Sequence, residues 1–199
     1  MRIEDRRKVL LQDPQKFPPD MRGESKYGPV HGVELFKVFA TKQEASDARI
    51  HRAPRAGIAG SSLVKGAQSI ALSGRYEDDI DNGDIIFYTG TGGQEVLSAR
   101  DKARGRIPRQ EVPQTFANQL NAALRVNKEL GTPVRVLRGA NKHSPYAPSE
   151  GYRYDGCYLV QTAEIAVGRS GFNICRYKLT VRRVFFRVYP SSLTLTAPD

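Results

Sequence analysis

The sequence predicts an α+β fold, a twisted, barrel-like β-sheet with flanking helices. Three observations lead there. Short runs rich in β-branched and aromatic residues recur along the chain, bounded by Gly, Pro and Asn. One long stretch carries an apolar stripe at helical spacing. Another alternates apolar and polar residues, the pattern of a strand with one buried face. A chain of 199 residues with 39% hydrophobic content suffices for one domain around one core.

Residues 1–27 are of mixed charge, with prolines at 14, 18 and 19, and read as a lead-in that is partly flexible, with a short helix at Ile3–Leu11. The main domain is expected over 28–189, with 190–199 as a tail. Val33–Ala40 and Ser69–Gly74 read as strands. Asp84–Gly90 is a third, entered through Asn82-Gly83, a dipeptide suited to a tight hairpin turn. Gln94–Val112 has little periodicity and reads as a projecting loop. The helix is expected over Pro113–Leu130, where Phe116, Leu120 and Leu124 recur beside Ala117 and Ala123; Pro113 suits its first turn and Gly131 its stop. Pro133–Gly139 and Cys157–Ile165 read as strands. In Asn173–Arg182, Cys175, Tyr177, Leu179 and Val181 alternate with Arg176, Lys178, Thr180 and Arg182, which gives that strand a basic outer face.

The formal net charge of +10 points to an anionic partner, nucleic acid ahead of an acidic membrane surface. No stretch is long and apolar enough to span a bilayer, and the N-terminus lacks a signal-peptide core. Two cysteines make no disulfide framework, and three scattered histidines give no metal or catalytic set. Two basic regions stand out. Arg100, Lys102, Arg104, Arg106 and Arg109 fill the loop; Arg169, Arg176, Lys178, Arg182, Arg183 and Arg187 follow later without an intervening acid.

Against that charge, Glu77, Asp78, Asp79, Asp81 and Asp84 crowd between Tyr76 and Tyr88. An EF-hand starting at Asp78 fails, because its third and twelfth positions would be Ile80 and Thr89. A metal nuclease pair lacks a nearby lysine or histidine. Gly90–Gly93 is followed by Gln94-Glu95, where a phosphate-binding P-loop carries Lys-Ser/Thr. The ordinary reading of such acids is a solvated turn that caps backbone groups.

Four blocks in order, His51–Gly60, Ser69–Gly93, Tyr146–Val160 and Ser170–Leu179, resemble the SRA domain (SET- and RING-associated, also called YDG), whose namesake is Tyr154-Asp155-Gly156. The resemblance spans about Gly28–Leu179. It implies a crescent-shaped, SRA/PUA-like sheet, and a non-enzymatic reader that flips 5-methylcytosine out of double-stranded DNA. On that resemblance Tyr76 and Tyr88 sandwich the base, Asp79 faces its Watson–Crick edge, Thr89 contacts that edge through its backbone, Gly57 admits close backbone approach, and Thr91 walls the methyl niche. Tyr154, Asp155 and Gly156 read as a buried tyrosine, a turn acid and a turn glycine. Arg55, Arg100, Lys102 and Arg104 are the candidates to enter the DNA. Arg52, Arg106, Arg109, Arg169, Arg176 and Lys178 are the candidates for phosphate contacts.

The sequence departs from the family pattern in two loops. Arg55 stands where a small apolar residue is expected, and the Gln94–Val112 loop lacks the Asn-Lys-Arg that favours hemimethylated DNA. Preference among hemimethylated and fully methylated sites, and CG context, therefore stay open. The alternatives are the recognition part of a modification-dependent endonuclease, a 5-hydroxymethylcytosine reader, and a protein-interaction module with a vestigial pocket. No cofactor is implied. The expected assembly is a monomer on one DNA site, with chromatin-associated proteins as further partners. The expected location is the nucleus of a eukaryote, or the cytoplasm and nucleoid of a bacterium.

Overall fold

The computed structural model describes residues 26–63 and 65–181. The expected helix at Ile3–Leu11, the tail 190–199, and Arg182, Arg183 and Arg187 lie outside these residues. Eight strands form one mixed sheet: β1 (Val38–Phe39), β2 (Ile58–Ser61), β3 (Gly66–Leu72), β4 (Ile80–Asp81), β5 (Ile85–Thr89), β6 (Val134–Gly139), β7 (Tyr152–Val167) and β8 (Asn173–Val181). Their spatial order is β2-β3-β6-β7-β8-β5-β4, with β1 beside the start of β7. Only β3 and β6 run parallel; every other pair is antiparallel. The sheet stays open, since β2 and β4 are its two ends. Register slips at Ala59/Gly60, Arg135/Leu137 and Val160/Thr162 add local twist and curl it.

Among the described residues three helices flank the sheet: α1 (Lys42–Asp47), α2 (Ala99–Ala103) and α3 (Gln119–Leu130). The main core packs Leu124 and Ala123 of α3 against Ile58, Ile70, Ile86, Tyr88, Val136 and Tyr177. A smaller core, Phe39, Ala45, Ile50, Leu137 and Tyr154, lies beneath α1.

The α+β sheet is as expected, while several boundaries move for identifiable reasons. The long helix begins at Gln119, six residues after Pro113, because Asn118 caps it, accepting from Leu120 N–H at 2.9 Å. The preceding residues are tied to the sheet instead: Gln114 N–H donates to Asn173 O at 2.8 Å and its side chain to Gly90 O at 3.0 Å. Gly131 stops the helix in the left-handed region at φ 64°, as its position suggested. The Val33–Ala40 strand shrinks to two residues, interrupted at Phe36 by a φ of 68°. Gln94–Val112 is not wholly irregular, since it contains α2 and closes through a bridge between Gln94 and Gln110.

The largest revision concerns Asp155 and Gly156, expected in a turn beside Tyr154, which is buried as expected. These residues form no turn; they lie inside β7 and are all buried.

Candidate functional site

The site grows from β5. Its alternation puts Ile86 and Tyr88 in the core, with Tyr88 opposite Tyr177 of β8 and 2% exposed. The Tyr88 hydroxyl donates to Gly57 O at 2.9 Å, and the Ala71 N–H donates to the same carbonyl at 2.7 Å. A β-carbon on Gly57 would stand 2.7 Å from the Tyr88 hydroxyl, so only glycine admits this approach.

The loop that carries Arg52 and Arg55 is held from below by His51. Burial lowers the pKa of His51 to about 4, so the ring is neutral at pH 7. Its Nε2 lies 3.0 Å from Ala56 O and its Nδ1 2.9 Å from Ser69 Oγ. A carbonyl can only accept, so Nε2 carries the proton and Nδ1 receives the serine hydroxyl. Arg52 and Arg55 themselves are exposed.

Tyr76 and Asp79 come from the turn between β3 and β4, closed by Asp79 N–H donating to Tyr76 O at 3.2 Å. Asp79 Oδ1 accepts the Thr89 N–H at 2.8 Å. Part of the residue reaches solvent, but its carboxyl end is desolvated. Burial pushes its pKa up to about 7, against the opposing pull of the Thr89 amide and hydroxyl; the neighbouring Asp78 and Asp81 charges push it the same way. The Thr89 hydroxyl, beside this carboxylate and buried, makes no well-formed hydrogen bond of its own. Burial also raises the pKa of Tyr88, and the Asp79 and Tyr76 charges raise it further, which puts the three groups within electrostatic reach of one another. Burial raises the pKa of Tyr76, and the nearby Thr91 side chain opposes the shift.

The glycine-rich turn is clamped to α3. Asn121 Oδ1 accepts Thr91 N–H at 2.8 Å, and Asn121 Nδ2 donates to Thr91 O at 3.1 Å. At Gly93, φ is 73° and a β-carbon would strike Val112 O. The sequence reading overlooked Asn121. Its signal was a polar residue three before Leu124, on the face of the helix that the apolar stripe assigns to the core.

The remaining acids hold the turn, and not all of them are solvated. Ser170 Oγ donates to Glu77 Oε1, and Arg169 N–H to Asp78 Oδ1 at 2.8 Å. Asp81, expected to be solvated, is instead paired with buried Arg138 through bonds of 3.0 Å from Nε and from Nη2. Arg138 was read only as part of a strand, because nothing in "PVRVLRG" distinguishes an outward arginine from an inward one.

The basic candidates divide in two. Arg100 and Arg104 are exposed around α2, Arg109 is exposed on the returning strand of the finger, and Arg169 is exposed at the β7–β8 hairpin tip; among the described residues none of their side chains forms an ion pair. Lys102 lies on α2, and Lys178 on the half-buried face of β8. Arg106, by contrast, is held by Glu95 at 2.7 Å and Asp101 at 3.9 Å, and Arg176 by Glu164 at 2.8 Å. Thus Tyr76, Asp79, Tyr88, Thr89, Thr91 and Gly57 converge, while the two paired arginines have their charge already answered. A separate cavity of about 430 Å³, lined in part by Tyr27, Arg52, Ile58 and Leu120, contains none of these six residues. Among the described residues, no three His, Cys, Asp or Glu side chains converge as a metal site.

The SAD/SRA domain family model matches residues 26–183. The chain is 44% identical over 153 residues to a UHRF1-like protein of Cryptococcus neoformans var. grubii, covering 76% of this chain and 44% of that protein. It therefore spans less than half the length of this relative. A modification-dependent TagI restriction endonuclease superposes with a TM-score of 0.68 at 36% identity, over 78% of this chain and 52% of that one. The SRA domain of SUVH5, solved with hemimethylated CG DNA, superposes with a TM-score of 0.58 at 31% identity, over 77% and 92% of the two chains. The same domain has been solved with fully hydroxymethylated CG DNA and with methylated CHH DNA.

Proposed function

The chain belongs to the SAD/SRA domain family, and we propose that it is a non-enzymatic reader of 5-methylcytosine in double-stranded DNA, taking the flipped base between Tyr76 and Tyr88. The observation that carries this reading is Asp79. Its carboxyl group accepts the Thr89 amide, lies within electrostatic reach of Tyr76 and Tyr88, and is pushed by burial to a pKa of about 7. A group in that condition is stabilised by a further donor.

Cytosine supplies one. Its N4 amino group donates along the Watson–Crick edge, and a carboxylate accepts. Binding the donor stabilises the ionised form and draws the Asp79 pKa down. Thymine carries the same methyl group but presents O4, an acceptor, which would set a lone pair against the carboxylate and give it no further donor at that position. Asp79 thus separates 5-methylcytosine from thymine, and the surroundings of the methyl group separate it from cytosine. Stacking on an aromatic face contributes about 1–3 kcal/mol per base, which offsets part of the few kcal/mol of unstacking. Exposed Arg52, Arg100, Arg104, Arg109 and Arg169 supply phosphate contacts, with Arg55 on the loop above Gly57 as a group that enters the DNA.

A second ligand, 5-hydroxymethylcytosine, has one observation in its favour: Thr91 places a side-chain hydroxyl beside Tyr76. In a eukaryotic source this reading implies a nuclear location and chromatin-associated partners. As the recognition part of a longer protein, the chain would direct an effector to modified sites.

The test is fluorescence anisotropy at fixed salt on one duplex in unmethylated, hemimethylated, fully methylated and hydroxymethylated forms. A preference for a modified form that vanishes in Tyr76→Ala supports the reading and shows which mark is bound. Equal affinity for all four overturns it, and methylation-dependent cutting of a plasmid with Mg²⁺ overturns the non-enzymatic part.

A further inference from the structure

The family's namesake tripeptide has no place in the pocket, yet its aspartate is fully buried. Asp155 is held on two sides. Arg153 forks onto it, with Nε to Oδ1 at 2.5 Å and Nη2 to Oδ2 at 2.9 Å, and Arg138 Nη1 pairs with Oδ2. The same Arg138 reaches the other way, to both carboxylate oxygens of Asp81 and to Gly83 O at 3.1 Å. Ser144 Oγ donates to Asp81 Oδ2 at 2.6 Å, and the Tyr158 hydroxyl to Gly83 O at 2.8 Å. Two arginines and two aspartates therefore form one neutral, buried block that joins β6 and β7 to the turn just past Asp79.

That turn is also held to β5, where Ile80 pairs with Phe87 and Asp81 with Ile86 and Asp79 Oδ1 accepts the Thr89 N–H, and it has an anchor at its front. Glu77 and Asp78 are held at its front by Ser170 and the Arg169 amide, at the exposed β7–β8 hairpin tip. Asp79 lies between the exposed anchor and the buried one, two residues from Asp81. We infer that Arg138, braced by Asp155, is a positioning residue for base discrimination: it touches no DNA, and it sets the place of the Asp79 carboxyl relative to the two tyrosines.

This rests on the base-reading role proposed above. Loss of its planar fork frees the rear of the turn, so Asp79 is presented loosely while the phosphate-binding surface stays in place.

The test is Arg138→Lys, which keeps the charge and loses the fork, measured by anisotropy on modified and unmodified duplexes with thermal melting in parallel. The preference for the modified duplex is expected to fall about fivefold or more, with affinity for the unmodified duplex changed about twofold or less. Arg135→Lys is the control. Arg135 is equally buried but grips Ile50, Gly28 and Lys26 carbonyls, away from the turn. It is expected to lower the melting temperature and leave the preference intact. If Arg138→Lys does not fold, Ser144→Ala and Tyr158→Phe, each removing one hydrogen bond to the same turn, are expected to lower the preference about two- to threefold. A preference unchanged in every folded variant, or one that falls equally in Arg135→Lys, overturns the inference. Absence of preference in the unsubstituted protein instead overturns the base-reading role itself.

Discussion

Two charged regions of this molecule are built on opposite terms. The block around Asp81, Arg138, Asp155 and Arg153 is buried and neutral overall, its arginines and aspartates paired with one another, while the Arg138 Nη1 beside Asp155 makes no well-formed hydrogen bond. The Gln94–Val112 finger is exposed, rich in arginine, and only partly paired, with Glu95 and Asp101 committed to Arg106 while Arg100, Arg104 and Arg109 remain for a partner. The difference teaches where charge holds a structure and where it is kept for an anion. In the block, each ion has lost its water and depends on its neighbours. In the finger, water screens every contact and no single pair contributes much.

The sharpest way to break this contrast is to remove one acid from each region. Asp81→Ala leaves Arg138 buried with part of its charge unanswered and is expected to destabilise the fold by about 3–5 kcal/mol. Glu95→Ala is expected to cost about 1 kcal/mol or less. Urea denaturation of both measures the gap, and similar losses would erase the distinction.

Next in size is Tyr88, which belongs to the core and to the pocket at once. Tyr88→Ala is expected to lose about 3–5 kcal/mol of stability along with base preference. Tyr88→Phe, which loses only the hydroxyl to Gly57 O, is expected to cost about 1–2 kcal/mol and to keep the stacking face. Denaturation and anisotropy on both variants separate its two roles.

Asp79 lies between the two regimes, and pH reports it. Its folded pKa is about 7 against an ordinary 3.8. Between those values the folded chain holds a proton that the unfolded chain has released. Its contribution to stability is therefore full at the acid end and is lost as pH rises through 7. Binding runs the other way, because the cytosine amino group needs the carboxylate: affinity for the modified duplex is expected to rise from pH 6 to pH 8. Asp79→Asn should flatten both profiles. A variant that keeps the wild-type slopes would assign them to another group.

The smallest effects sharpen the finger itself. Arg100→Ala and Arg104→Ala are each expected to lower the slope of log affinity against log salt by about one, with little change in melting temperature. Arg106→Ala, whose charge Glu95 already answers, is expected to change that slope far less. Equal slopes for all three would show that the ion pair opens on DNA.

Much of this was legible in the chain. Alternation gave β8 and its basic face, and Asn82-Gly83 marked the turn into β5, because side-chain period and turn chemistry are local. The helix start was misplaced because Gln114 bonds to Gly90 and Asn173, partners far away in sequence. Asp155-Gly156 looked like a turn because Asp and Gly favour turns, whereas both lie within β7 and the aspartate is buried against Arg138 and Arg153. Asp81 and Asp79 are indistinguishable by local rules, and they have different fates.

By itself, then, the sequence determined the α+β class and the basic surface, since composition and periodicity are properties of the chain alone, and its ordered motifs carried the family resemblance from which Tyr76, Asp79, Tyr88, Thr89, Thr91 and Gly57 were named. Only the tertiary structure decided which charges are answered. Whether an arginine meets an acid, a carbonyl or water depends on which distant strand lies beside it. That choice separates Arg138 from Arg100, and Asp81 from Asp79.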